Sequence, residues 1–131
     1  MDPHGYLTEI KARWVASSAV ASFTIVEERA SSDRGYLRAR LTLSNNDFLE
    51  VAEYFVLEEG HCVTRRYRYQ WMDASQQRLR KRWDNVEHFP DLPGFPHHVH
   101  VGGESNVEPG TALSSVEVID MIEQELVPRS R

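Results

Sequence analysis

The chain has a single cysteine, Cys62, among its 131 residues. No intrachain disulfide can form, so stability has to come from a hydrophobic core, in keeping with a reducing, cytoplasmic compartment. No apolar run approaches the roughly 20 residues a membrane helix needs, and the opening stretch MDPHGYLTEIKARW lacks the apolar core of a signal peptide. A membrane role and secretion are therefore not expected. A third shortage is local: from Asp84 to Val127 there are nine acidic residues and no Lys or Arg. The preceding stretch, Arg65 to Arg82, is the reverse, with seven basic residues and one acid, Asp73. Inside a chain of net charge −5, such a basic block either attracts an anion such as RNA or neutralises the acidic half of the same molecule.

What is present fits one domain over residues 1–131, since a chain of this length can bury one core comfortably. Leu7, Ile10 and Trp14 recur at helical spacing and predict an amphipathic helix over residues 5–17. From Ala21 to Glu27 apolar and polar residues alternate, which predicts a strand, and EERASSDRG after it has the chemistry of a solvated hairpin loop. YLRARLTL then sets Leu37, Ala39, Leu41 and Leu43 on one face against Tyr36, Arg38, Arg40 and Thr42 on the other. Strands over 48–57, 61–71 and 79–84 follow, separated by SNND, EEG and MDASQQ. Connections this short fit an antiparallel meander and not βαβ units.

Residues 85–113 hold four of the six prolines and four of the seven glycines, and read as an irregular, His- and Pro-rich loop. Ser114 followed by Glu117 is the spacing of a capping box. With the stripe Val118, Ile119, Ile122 and Leu126, it predicts a helix over 114–127, stopped by Pro128. The expected fold is thus α+β: an antiparallel sheet of about five strands within residues 20–84, with an N-terminal and a C-terminal helix packed on one face.

Three groups of residues could carry chemistry. If the meander holds, Arg38, Arg40, Arg66, Arg68, Arg80 and Arg82 share the face opposite the leucines, a phosphate-binding surface to which Tyr36 adds a stacking platform for a base. The bland alternative is a solvated face whose arginines pair with Glu50 and the acidic half. Glu53 is in phase with Leu49, Val51 and Phe55, so it falls on the apolar face, where a carboxylate needs a partner. Arg65 is the expected partner, and a general base is the functional alternative.

The third group is FPHHVHVG. In an extended segment His98 and His100 project to one side and His97 to the other. His98 and His100 could chelate a divalent metal, with His88 or Asp84 as third ligand, or act as an acid/base pair of the kind a ribonuclease needs. They could equally be structural. No cofactor is required by any motif, and metal ligation stays open beside acid/base chemistry.

GYLRARLTL at 35–43, LEVAEYFV, YRYQWMD at 67–73, RWDN at 82–85 and HFPDLPGFPHHVHVGGESNVEP at 88–109 occur here in one order. In that combination the chain resembles the TumE family, the toxin half of prokaryotic TumE/TumA toxin–antitoxin pairs. The resemblance implies a small cytoplasmic α+β protein neutralised by a helix-turn-helix antitoxin, with RNA as the expected target. On that reading the protein is a metal-independent ribonuclease in which His98 or His100, with Glu53 or Asp84, supplies acid/base chemistry. The alternatives are a non-catalytic interaction protein that docks through its arginine face and His loop, or a metal-dependent enzyme. A homodimer is compatible with a chain of this size but is not indicated by any residue.

Overall fold

The computed structural model describes residues 1–126. Its elements run α1 (Pro3–Ala16), β1 (Val20–Ala30), β2 (Arg34–Leu43), β3 (Phe48–Glu58), β4 (His61–Met72), β5 (Leu79–Asp84), β6 (His98–Val101), β7 (Val107–Pro109) and α2 (Ser115–Leu126). The seven strands form one sheet in sequence order. Each is antiparallel to the next. The expected α+β class and meander are observed, with two strands more than the sequence pattern indicated. Both extra strands lie inside the segment read as an irregular loop.

Local chemistry accounts for the element ends. The Asp2 carboxylate accepts the Gly5 N–H at 2.8 Å and Pro3 occupies the first turn, so α1 starts two residues before the predicted position. At α2 the expected capping box is present: Glu117 accepts from Ser114 N at 2.9 Å, and Ser114 Oγ accepts from Glu117 N at 3.2 Å. The predicted last helical residue, Val127, and the stop at Pro128 lie outside the described residues. β1 continues through EERA, which the polarity had suggested was loop. It forms one border of the sheet, so its charged side chains can face water or pair locally, as Glu27 does with Arg29 at 2.9 Å.

The core lies between the helices and one sheet face. Leu37, Ala39, Leu41 and Leu43 of β2, Leu49, Val51 and Phe55 of β3, Tyr69 and Trp71 of β4 and Trp83 of β5 are buried there with Leu7, Ile10 and Trp14 of α1 and Val118, Ile119 and Ile122 of α2. Gly35 is needed at its position because a Cβ there would overlap the Phe55 ring.

Glu53 shares this face and is fully buried. Its partner is not Arg65. Tyr54 is opposite Arg66 and Phe55 is opposite Thr64, so Arg65 is the extra residue of a β-bulge. The bulge moves Thr64 onto the face of Glu53 and turns Arg65 away to pair with Glu58. Glu53 Oε2 instead accepts the hydroxyls of Tyr6 and Thr64, each at 2.7 Å, while Oε1 accepts Ser115 N at 3.0 Å and Ser115 Oγ. One carboxylate thereby joins α1, β4 and the first turn of α2. Burial, and then the neighbouring Glu53 charge, holds the Tyr6 hydroxyl well above the usual tyrosine range, so it remains a donor.

This network predicts an order of stabilities. Glu53→Ala leaves buried donors without an acceptor and should cost about 3 kcal/mol in urea unfolding. Glu53→Gln should cost only about 1 kcal/mol, because its amide can face the Tyr6 and Thr64 hydroxyls, which can rotate to accept.

Candidate functional site

Among the described residues, no helix packs on the opposite face of the sheet. Directly opposed residues in antiparallel strands share a face, so the register alone assembles this one. One row across the strands reads Arg38, Ala52, Arg68, Asp84 and His98, and the next reads Arg40, Glu50, Gln70, Arg82 and His100. A third row begins with Tyr36, Tyr54 and Arg66. Five of the six predicted arginines, Tyr36, Asp84 and both histidines therefore lie together.

Arg80 does not join them. Trp71 is opposite Lys81 and Met72 is opposite Leu79, so Arg80 is the extra residue of a second bulge. Its Nε reaches the buried Asp47 carboxylate at 2.6 Å, which also accepts the Trp71 indole N–H at 2.9 Å. Glu53 is also separate, because it lies on the helix-covered face.

The centre of the site is Asp84, at the end of β5. It is buried, as are His98 and His100 on β6. His98 Nε2 is 3.0 Å from Asp84 Oδ1, and His100 Nε2 is 4.0 Å from Oδ2. Val86 N donates to Oδ1 at 3.0 Å, which fixes the carboxylate plane. Each imidazole is held from behind: His98 Nδ1 is 3.0 Å from Pro96 O and His100 Nδ1 is 2.9 Å from Glu104 O. The Phe89 ring packs edge-on to both, with centroids 5.1 and 6.1 Å away.

Gly110 permits this arrangement, since a Cβ there would lie 3.1 Å from His98 N and push the end of β7 off β6. His88, named with His98 and His100 as a metal ligand, is exposed and lies outside the trio. His97 turns to the other face as expected, where its Nδ1 is 2.9 Å from the Tyr67 hydroxyl. Burial, then the neighbouring His98, holds the His97 imidazole below its ordinary pKa.

Charge pairing divides the arginines into two sets. Arg38 and Arg40 share Glu50 at 3.2 and 3.4 Å. Arg82 is held in a two-pronged contact by Glu104, at 2.5 and 2.6 Å, and its Nε is 3.4 Å from Asp84 Oδ2. That fork raises the pKa of Arg82 and lowers that of Glu104. Among the described residues, Arg66 and Arg68 have no carboxylate within salt-bridge distance. They line a groove of about 840 Å³ with Arg29, Arg34, Tyr36 and Tyr54. Arg68 is opposite Asp84 in the register, so this lining residue links the groove to the trio.

Sequence reasoning missed Arg29, Arg34, Tyr54, Phe89 and Glu104. Only Tyr54 had a readable signal, since pairing across the SNND turn sets it opposite Tyr36. The geometry predicts slow chemical modification of His98 and His100. Diethyl pyrocarbonate followed by mass spectrometry should label the exposed His4, His61 and His88 first, and Phe89→Ala should narrow the difference.

No helix among the described residues is long and apolar enough to cross a membrane. No curated protein and no solved structure gives a significant match to the chain. The family model described as Toxin TumE matches residues 10–127, a span that includes every strand, the Asp84–His98–His100 trio and the arginine groove. The chain belongs to the TumE family and is the toxin component of a toxin–antitoxin module, with an antitoxin as its partner.

Proposed function

We propose that this toxin acts on RNA in the cytoplasm, with the helix-free sheet face as the binding surface and Asp84, His98 and His100 as the reactive centre of a ribonuclease. The observation that carries this reading is the position of Arg66 and Arg68. They are the cations of that face without a carboxylate partner among the described residues, and they line a groove with two tyrosines, in which Arg68 is the direct cross-strand neighbour of Asp84. Guanidinium groups bind phosphate by charge-assisted, bidentate hydrogen bonds, and tyrosine rings stack on unpaired bases. At about 840 Å³ the groove falls within the roughly 300–1,000 Å³ usual for ligand sites.

On this reading one chain supplies every residue of the groove and the trio, and a homodimer is compatible with it. A helix-turn-helix antitoxin that covers the groove would neutralise the toxin by excluding RNA.

Two measurements test this reading. Arg66→Ala and Arg68→Ala should each weaken binding of single-stranded RNA and reduce its salt slope by about 1. Purified protein should cleave RNA, and His98→Ala, His100→Ala or Asp84→Ala should lower the rate by about 100-fold or more while the fold is retained. RNA that stays both unbound and intact with the folded wild type would overturn the proposal in favour of a protein-docking face.

A further inference from the structure

The orientation of the two imidazoles contains a chemical requirement. A backbone carbonyl oxygen can only accept, so the Nδ1 atoms beside Pro96 O and Glu104 O carry the protons. In a neutral ring the lone pair is then on Nε2. Both Nε2 atoms are turned toward Asp84, at 3.0 and 4.0 Å from its two oxygens. Two nitrogen lone pairs and a carboxylate thus point at one small volume in a buried setting, and such a set of acceptors is stable only with positive charge among them.

Arg82 does not supply that charge in full. Glu104 already holds its guanidinium through both terminal nitrogens, and only Nε approaches Asp84, at 3.4 Å. No Lys occurs in the rows of this face.

We propose that His98 Nε2, His100 Nε2 and an Asp84 carboxylate oxygen form a binding site for a divalent first-row transition-metal ion. The three ligand atoms lie within 4.8 Å of one another. Ligands at about 2.0–2.2 Å from a common ion stand roughly 3–3.5 Å apart; His98 Nε2 is already 3.0 Å from Oδ1, while His100 Nε2 is 4.0 Å from the other oxygen, Oδ2. The set would close around an ion by side-chain shifts on the order of 1 Å.

Two imidazoles and one carboxylate select Zn²⁺, Fe²⁺, Co²⁺ or Mn²⁺ over the all-oxygen preferences of Ca²⁺ and Mg²⁺. The supporting contacts are those metal sites use, with each imidazole donating its other N–H to a carbonyl and the carboxylate held by a backbone N–H. Three protein ligands leave coordination positions free for water or a phosphate oxygen, as in catalytic rather than structural sites. The inference shares its residues with the ribonuclease reading but does not depend on RNA being the substrate.

Co²⁺ titration of the chelator-treated full chain tests it without any RNA. One equivalent of Co²⁺ should bind, visible as d–d absorption bands and as heat in calorimetry, and His98→Gln or Asp84→Asn should reduce uptake at least 10-fold. His88→Ala should bind as the wild type does. Long-range ¹H–¹⁵N spectra of the wild type give a readout that does not depend on the variants folding: Zn²⁺ should move the Nε2 and not the Nδ1 resonances of His98 and His100. Absence of uptake by the wild type, or equal uptake by His98→Gln, overturns the metal site. Cleavage that continues in EDTA, with no uptake, would assign the trio to metal-free acid/base chemistry and leave the RNA reading intact.

Discussion

The buried Glu53 carboxylate ties both helices to the apolar face of the sheet. A charge in an apolar layer is tolerated only when its oxygens are saturated with donors. Here the donors come from three separate elements: Tyr6 of α1, Thr64 of β4 and Ser115 at the start of α2. Neither helix can shift without breaking part of that set, so both are fixed on the same side of a seven-stranded sheet. Trp14 adds to the join by directing its indole N–H at the Ser115 carbonyl, at 3.4 Å. The other side carries no helix among the described residues, and the rows of arginine, aspartate and histidine are arranged there.

Much of this was legible in the sequence because it depends on local period or capping. The alternation of Leu37, Ala39, Leu41 and Leu43, the stripes of both helices and the Ser114–Glu117 box were each readable from neighbouring residues alone. The bulges were not. One inserted residue reverses the phase of everything beyond it, and a periodicity argument has no means of detecting the insertion. The bulge at Arg65 exchanged the expected Glu53–Arg65 pair for Glu53–Thr64, and the bulge at Arg80 removed one arginine from the set expected on the opposite face.

β6 and β7 were hidden for a different reason. They are four and three residues long, too short to show a pattern among prolines and glycines, and their strand character comes from pairing, of β6 with β5 and of β7 with β6. Without β6 the sequence could place His98 and His100 on a common side but could not say which face of the sheet that side joins. Pairing of β5 with β6 answers the question, since His98 is opposite Asp84 and His100 is opposite Arg82. The convergence of Asp84 with the histidines is thus a tertiary fact carried by backbone hydrogen bonds.

The two halves of the site constrain each other electrostatically. A phosphate held by Arg68 would stand next to Asp84, because the two residues are opposite in the register, and a bare carboxylate there would repel it. Glu104 takes up both terminal nitrogens of Arg82, so that carboxylate is compensated from the side of the hairpin only by Arg82 Nε at 3.4 Å. A cation or shared proton between Asp84 and the two imidazoles removes the repulsion and at the same time resolves the opposition of lone pairs within the trio. The need for positive charge at this point follows from the orientation of the histidines and, on the proposed function, from the phosphate that Arg68 would bring beside them.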